Sequence, residues 1–281
     1  MPKKEKPVEE AIETKAVEEE AEVVAVTEEA PVVEQILEPE EAASKLDKVS
    51  ADIERWQPKT LLGQKVKRGE IKDISEILDQ GLKIMEPEIV DMLLPNMEAD
   101  LLMIGQSKGK FGGGQRRVFR QTQKKTAEGN KPHFATIAVV GNKDGYVGVG
   151  YGKSKETVPA REKAIRNAKL SLMKIRRGSG SWEDARTEAN SIPFAVTGKC
   201  GSSEITLIPA PKGTGLIIEK ECAKILKAAG IRDIWSRTKG QTNTKVNLVS
   251  ACMTALKKLN QMKVKHEHIE SLSIKEGKMI G

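Results

Sequence analysis

Apolar residues along the chain follow strand-like spacing in some segments and helical spacing in others, which predicts an α+β fold. Residues 133–140 (HFATIAVV) and 146–151 (YVGVGY) are short apolar segments separated by the turn sequence GNKDG. They predict the two strands of an antiparallel hairpin. Apolar side chains recur at helical spacing through residues 155–177, and Pro159 falls in the first turn, so this segment predicts a helix. Loop, hairpin and helix together predict an α+β module.

The C-terminal part of the chain repeats this mixture of patterns. Strands are predicted at 192–196, 204–209 and 231–235, and helices at 219–229, where Gly230 ends the helix, and at 245–259. The polar residues that precede them predict a linker between two α+β modules.

The N-terminal part is different in character. Residues 1–41 consist mainly of Glu, Val, Ala, Lys and Pro without an aromatic residue, and such a composition predicts a disordered acidic tail. This tail keeps the protein soluble, or it has an autoinhibitory or partner-binding role. Short helical patterns follow, including segments near 87–94 and 98–104, and predict a helical extension. The expected regions are the tail at 1–44, the extension at 45–105, the first module at 106–178, the linker at 179–190 and the second module at 191–281.

The charges are separated along the chain. Residues 1–41 carry a net charge of −10 and the remaining 240 carry +17. A field of this size attracts polyanions such as nucleic acids, although a solvated basic surface without function is the alternative. The densest basic segment lies at residues 115–131, which we call the basic arm.

We expect the cations of this arm and of the following hairpin and helix to bind RNA phosphates. The candidates on the arm are Gln115, Arg116, Arg117, Arg120, Lys124, Lys125 and Lys131. The further candidates are Lys153, Lys155, Arg161, Arg166, Lys169, Arg176 and Arg177. A passive solvated loop or a nuclear-localisation patch remains an alternative for the arm, and attraction to a helix C-terminus is an alternative for the last two arginines.

The sequence contains few motifs that would indicate another class of function. The three cysteines form no CxxC pair, and the three histidines lie beside no candidate nucleophile or carboxylate cluster, so we expect no metal, cofactor or catalytic site. Aromatic residues make up only 3% of the chain, which favours recognition by shape and phosphate contact over base stacking. No apolar segment approaches the length of a membrane span, and the acidic N-terminus is unlike a signal peptide. We therefore expect a cytoplasmic protein.

Two Gly-rich segments resemble nucleotide loops. GVGYGKS, residues 148–154, lacks the first glycine of a P-loop because position 147 is valine, and its glycines are more simply placed on one face of a strand. PAPKGTG, residues 209–215, faintly resembles the phosphate loop of GHMP kinases, but Leu216 and Ile217 stand where that loop has two serines. A strand-to-helix turn, a contact with one RNA phosphate and a small-molecule kinase site all remain open here.

A set of motifs in fixed order identifies a resemblance over residues 56–259. They are WQPKTLLG, GQRRVFR, VVGNKDGYVGVGYGKSKE, AIRNAKLSLMKIRRG, VTGKCGSSEITLIPAPKGTGLI and AAGIRDIWSRTKGQTNTKVN. In this order they resemble the universal small-subunit ribosomal protein family that is numbered five in bacteria and two in eukaryotes. The first and fourth motifs are similar to the archaeal and eukaryotic branch, and the absence of an Arg-Gly-rich tail favours an archaeal-type member. The acidic tail departs from the family pattern.

The resemblance implies a fold for the two domains, a location in the ribosome and a set of binding partners. It implies a double-stranded-RNA-binding-like first domain and a second α+β domain with a left-handed βαβ unit, which is shared with GHMP kinases. It further implies that the chain is a structural constituent of the small ribosomal subunit that binds 16S-type rRNA and contacts ribosomal proteins four and eight. A position near the mRNA entry path, support of subunit assembly and an influence on decoding accuracy are also implied. The alternatives are a small-molecule kinase and a free-standing double-stranded-RNA-binding regulator.

Overall fold

A computed structural model describes residues 55–107, 114–184 and 188–277, all of which belong to one unit, Lys48–Gly281. The helices are α1 Leu61–Lys67, α2 Ile74–Asp79, α3 Glu88–Leu93, α4 Thr157–Leu170, α5 Lys220–Ala229, α6 Lys245–Gln261 and α7 His266–Ser271. The strands are β1 Glu98–Leu102, β2 Arg120–Thr126, β3 Gly129–Gly141, β4 Tyr146–Ser154, β5 Met173–Lys174, β6 Arg176–Arg177, β7 Val196–Cys200, β8 Ser203–Pro209, β9 Leu216–Ile217, β10 Ile234–Lys239 and β11 Lys275–Glu276. The predicted acidic tail, 1–44, lies outside the described residues, as do the first residues of the predicted extension.

The first sheet is built around β3, its longest strand. β4 pairs antiparallel with one edge of β3, and β1 and β2 pair in succession with the other edge. β4 ends opposite Phe134, whereas β2 continues to the very start of β3 at Gly129. The β2–β3 hairpin therefore extends past the rest of the sheet.

Helix α4 packs against one face of this sheet at very short range. The glycines of β4 at positions 148, 150 and 152 face the helix, and an added Cβ at any of them would overlap its backbone. The side of the helix that contacts these glycines carries Ala160, Ala164 and Ala168, which are all fully buried and spaced four residues apart. This confirms the prediction that the three glycines lie on one face of a strand, and that face lets the helix backbone approach closely.

The second sheet has the strand order β7, β8, β10, β9, and α6 covers β7 and β8. β9 and β10 are parallel neighbours joined by α5, so these elements form a βαβ unit. Apolar side chains of α5, including Ile225 and Leu226, lie in one core with Val139 and Val147 of the first sheet. Helix α5 thus sits between the two sheets and joins them into a continuous core.

The N-terminal extension has a smaller core of its own around Trp56, Ile77 and Ile89. Tyr146 of the first sheet is part of this cluster, and its hydroxyl lies 2.6 Å from Ser75 Oγ. The buried Glu86 carboxylate accepts hydrogen bonds from the Trp56 indole and from the backbone N–H groups of Lys59 and Thr60, at 2.7–2.9 Å. Burial alone would raise the pKa of Glu86, but these hydrogen bonds lower it below its ordinary value.

Some sequence-based boundaries were wrong. The helix predicted to continue to residue 177 ends at Leu170, because Met173–Lys174 pairs with β4 and Arg176–Arg177 pairs with β11. The helical segment predicted near 98–104 contains β1 instead, since it adds to the edge of β3.

The remaining differences concern strands. The basic segment predicted as an irregular loop contains β2, which pairs with β3 along its whole length. The strands predicted at 192–196 and 231–235 begin a few residues later, at Val196 and Ile234. Within or beside the predicted linker, the side chains of Ser179, Asn190 and Ser191 are buried.

Candidate nucleic-acid interface

The β2–β3 hairpin places much of the basic arm on an ordered two-stranded ribbon. In its register, Arg120 stands opposite Ala135, Thr122 opposite His133, and Lys124 opposite Lys131, while Lys153 of β4 also pairs with Ala135. Directly opposed residues, and residues two apart on one strand, point to the same side of a sheet. One side therefore carries the set that we call the ribbon face: Arg120, Lys124, Lys131, His133 and Lys153.

The ribbon face continues a sheet surface that is apolar at its other end. Ile137 and Val139 lie on the same side of β3 as His133, and they belong to the core against which α5 packs. Farther along the same side, Tyr151, which stands opposite Ile137, is 50% exposed. The core thus holds a basic surface in a fixed orientation toward solvent.

The charges on the ribbon are poorly balanced by acids in the part of the chain that the structure describes. Lys124 and Lys131 are directly opposed, an arrangement that destabilises a strand pair. Glu128 in the turn lies 2.9 Å from Lys131 Nζ, but both side chains are well exposed, so this pair contributes little. A bound polyanion would relieve the repulsion.

An open cleft of about 970 Å³ lies beside the ribbon face, where β4 leads into α4. Among the described residues that line it, the charged ones are Lys124, Lys153, Lys155 and Lys163 together with one acid, Glu156. Three of these lysines are sequence candidates. Lys163 was not among them, although its place on the basic side of the predicted helix was a usable signal.

The other arm candidates are distributed around the ribbon. Arg116 and Arg120 line a second cleft, of about 630 Å³, that also contains Thr244 and Lys245 at the start of α6. Gln115 and Arg117 are exposed at the root of the arm, where Gly105 N–H donates to Arg117 O at 2.8 Å. Arg161 and Arg166 are exposed on α4. Lys125 lies on the opposite side of the ribbon from Lys124.

Three further candidates are engaged inside the protein. Arg177 is only 1% exposed, and its Nη2 donates to Asp144 Oδ1 at 2.8 Å and to Gly277 O at 2.9 Å. Arg176 donates to Leu259 O and Met262 O, and Lys169 Nζ lies 2.7 Å from an oxygen of Asp91. The burial of Arg177 removes it from any surface that a long RNA could cover, and the other two are positioned mainly by intramolecular contacts.

Neither Gly-rich segment is arranged as a nucleotide phosphate loop. In the loop at 209–215, Asp233 Oδ1 accepts hydrogen bonds from Gly213 N–H at 3.1 Å and Gly215 N–H at 2.8 Å. A protein carboxylate thus takes the backbone donors that a phosphate loop would offer. The glycines of the segment 148–154 are pressed against α4.

Neither a metal site nor a membrane-spanning helix is found within residues 55–107, 114–184 and 188–277. No group of three or more His, Cys, Asp or Glu side chains in these ranges is arranged to hold a metal ion. No helix in the same ranges combines the length and hydropathy required to cross a bilayer.

Comparison with known proteins gives a consistent result. Residues 118–176 match the family model "Ribosomal protein S5, N-terminal domain", and residues 198–268 match "Ribosomal protein S5, C-terminal domain". The chain is 49% identical over 229 residues to the small ribosomal subunit protein uS5 of Nanoarchaeum equitans, an alignment that covers 82% of this chain and 98% of the relative. It is 43% identical to uS5 of Methanocaldococcus jannaschii over 82% of this chain and 99% of the relative. It is 45% identical to uS5 of Pyrobaculum calidifontis over 73% and 95%.

Proposed function

The chain belongs to the family of small ribosomal subunit proteins uS5, and from this membership we propose that its ribbon face binds small-subunit rRNA through the phosphate backbone. Members of this family are structural proteins of the ribosome and not enzymes, and the chain is an archaeal-type member. It is located in the ribosome in the cytoplasm. A small-molecule kinase or a free-standing regulator is therefore the wrong class of function.

The observation that carries the proposal is the position of Arg120, Lys124 and Lys153 on one side of a rigid ribbon, where all three side chains are exposed. A folded RNA presents phosphates at regular spacing, and each phosphate that a cation neutralises releases condensed counterions. Helices pack against both faces of the sheet behind the ribbon, so the ribbon is already ordered in the free protein. Little conformational entropy is therefore lost when the RNA binds.

The finer parts of the proposal rest on the family resemblance. We propose that the chain supports subunit assembly, lies near the mRNA entry path, contacts ribosomal proteins four and eight and influences decoding accuracy. Residues 106–178 would then correspond to a double-stranded-RNA-binding-like domain, and β9–α5–β10 to the left-handed βαβ unit of the second domain. The parallel pairing of β9 and β10 on either side of α5 is compatible with such a unit.

The ribbon face can be tested by the salt dependence of rRNA binding. The double variant Arg120→Ala/Lys124→Ala removes two cations from the face, so the slope of log K against log salt is expected to become shallower by about one to two. Arg116→Ala/Arg117→Ala tests the root of the arm in the same way. Filter binding of small-subunit rRNA between 50 and 200 mM salt, roughly the range where such contacts are resolved, measures both.

A matched control changes the same residue types away from the ribbon. Lys199→Ala/Arg237→Ala removes one lysine and one arginine that are exposed on β7 and β10 of the second sheet. This variant is expected to keep a slope closer to the wild-type value than the ribbon variant does. Equal slopes for the wild-type protein and Arg120→Ala/Lys124→Ala would contradict the ribbon face as an RNA-binding surface.

A further inference from the structure

Tyr151 is an exposed aromatic residue on the same side of the first sheet as the ribbon face. The chain has two tyrosines, and their surroundings differ. Tyr146 is buried, and its hydroxyl lies 2.6 Å from Ser75 Oγ. Tyr151 is half exposed, and the hydrogen bond that Asn167 donates to it ends on the backbone oxygen. Within the part of the chain that the structure describes, the Tyr151 hydroxyl has no hydrogen-bond partner, so the ring is available for an external contact.

Cations of the ribbon face stand one row away from this ring. Lys153 is two residues farther along β4, and Ala135 of β3 lies between it and Arg120 of β2 in the same row. From the spacing of residues and strands in a sheet, the Cα atoms of Lys153 and Arg120 lie about 7 and about 12 Å from that of Tyr151. His133 follows one row beyond. This side of the sheet therefore carries an aromatic ring, a row of cations and a second ring in succession.

The charges around Tyr151 favour a nucleic acid as the partner of its ring. Two acids lie beside the ribbon, Glu128 in the turn between β2 and β3 and Glu156 at the start of α4. Among the described residues, neither of them forms an ion pair with Lys153 or Arg120. A nucleotide satisfies both kinds of group at once, because its base stacks on an aromatic ring and its phosphate binds a cation.

The ring also restricts the kind of RNA that fits. A base inside a duplex is covered by its neighbours in the stack, whereas loops, bulges and strand ends present bases that an aromatic side chain can stack on. Phosphate contacts do not make this distinction, since duplexes and single strands both carry phosphates. An exposed ring beside unpaired cations therefore favours unpaired nucleotides.

We propose that Tyr151 stacks on an unpaired base of an RNA segment whose phosphates bind Lys153 and Arg120. His133, which lies on the other side of these cations, is placed to contact a second base of the same segment. This inference rests on the proposed function of the ribbon face. It adds a specificity-determining residue that selects unpaired RNA, which the cations alone do not do.

Two RNA probes separate stacking from phosphate binding. One is a single-stranded oligoribonucleotide of about 12 nucleotides without self-complementarity, and the other is the duplex that it forms with its complement. In the full-length protein, Tyr151→Ala is expected to raise the Kd for the single strand by about fivefold to 100-fold, because stacking on one ring is lost. The Kd for the duplex should stay within about twofold of the wild-type value, since no cation is removed. Fluorescence anisotropy of the labelled probes at fixed salt measures both constants.

Two further variants serve as controls. Tyr151→Phe keeps the ring and removes only a hydroxyl without a partner among the described residues, so it should bind both probes like the wild-type protein. Trp182→Ala removes an aromatic side chain that is 86% exposed but lies outside the ribbon face, and it should leave both Kd values unchanged. The salt slope for the single strand should be the same in Tyr151→Ala as in the wild-type protein, because the number of cations is the same.

An equal rise in the Kd for both probes in Tyr151→Ala would overturn the inference, since it would show that the ring only positions the ribbon. An unchanged Kd for the single strand would also overturn it, as would wild-type protein that binds the duplex alone. A loss in Tyr151→Phe as large as in Tyr151→Ala would assign the effect to the hydroxyl and exclude stacking. If one of these results accompanies a shallower rRNA salt slope in Arg120→Ala/Lys124→Ala, stacking is wrong and the proposed function stands; if that slope is also unchanged, the proposed function fails as well.

Discussion

Replacing Gly150 with alanine would place a methyl group where the backbone of α4 already lies. A Cβ at this position would stand 2.6 Å from the carbonyl carbon of Asn167 and closer still to Ala168 N and Ala164 O. An ordinary van der Waals contact begins near 3.4 Å. All three neighbouring atoms belong to the helix backbone, so no side-chain rotation can relieve the overlap.

The expected cost follows from the displacement that the overlap demands. The helix would have to retreat by roughly 1 Å, which would open the tight contact along Ala160, Ala164 and Ala168. Overpacking of a dense core typically costs about 1–3 kcal/mol, and a contact with rigid backbone lies at the upper end. For a unit of this size, about 3 kcal/mol corresponds to a fall in Tm of about 6–12 °C.

Thermal and urea unfolding of Gly150→Ala would measure this loss. Gly213→Ala is a useful control, because its φ of +90° strains an alanine but nothing lies within 4 Å of an added Cβ. It should cost about 1–2 kcal/mol, less than the change at Gly150. Adding Ala164→Gly should not rescue Gly150→Ala, since the overlapping atoms are backbone atoms. Rescue by that change, or a Tm equal to the wild-type value, would refute the packing argument.

Two other predictions concern buried polar groups. Glu86→Gln should lower the free energy of unfolding by about 1–3 kcal/mol at pH 7, because a buried carboxylate that accepts three hydrogen bonds is replaced by an amide. Since the pKa of Glu86 is lowered in the folded state, the wild-type advantage should be complete above its ordinary value of 4.5 and decline as the pH falls further; urea unfolding at several pH values checks this, and a constant difference would contradict it. Thr136→Val should leave the free energy of unfolding unchanged or raise it by about 1 kcal/mol, because the fully buried Thr136 hydroxyl has no hydrogen-bond partner among the described residues. A clear loss of stability in the same urea assay would show that this hydroxyl is satisfied.

Sequence patterns located the elements whose determinants are local. The strands at 133–140 and 146–151 were found because two apolar segments flank a turn-forming sequence, and the structure only lengthens them. The end of α5 was found because Gly230 adopts a left-handed conformation, with φ of +83°, that stops the helix. Both signals lie within a few residues of the feature they specify.

The wrong predictions concern residues whose secondary structure or burial depends on contacts with residues that are distant in the sequence. Leu172 and Ile175 continue the helical spacing of α4, but the chain leaves the helix there because β4 and the remote residues of β11 supply strand partners. The strand β2 is exposed along almost its whole length, so it has no apolar alternation to detect, and only its pairing with β3 defines it. Composition alone could not separate Arg177 from Arg120, because the burial of Arg177 depends on Asp144, which lies 33 residues away in the sequence.

The position of the basic arm is a property of β3. This strand is exposed at its start, near Lys131, and lies in the core farther along, at Ile137 and Val139. The packing that holds its apolar end therefore also sets the direction of its basic end. Changes at the two ends should then affect rRNA binding differently. Arg120→Ala/Lys124→Ala removes charge and should change the salt slope without a comparable loss of stability. Gly150→Ala removes no cation, and it should act by changing the orientation of the ribbon. A weaker rRNA affinity with an unchanged salt slope in folded Gly150→Ala would therefore identify the rigid placement of the ribbon, in addition to its charge, as a source of binding.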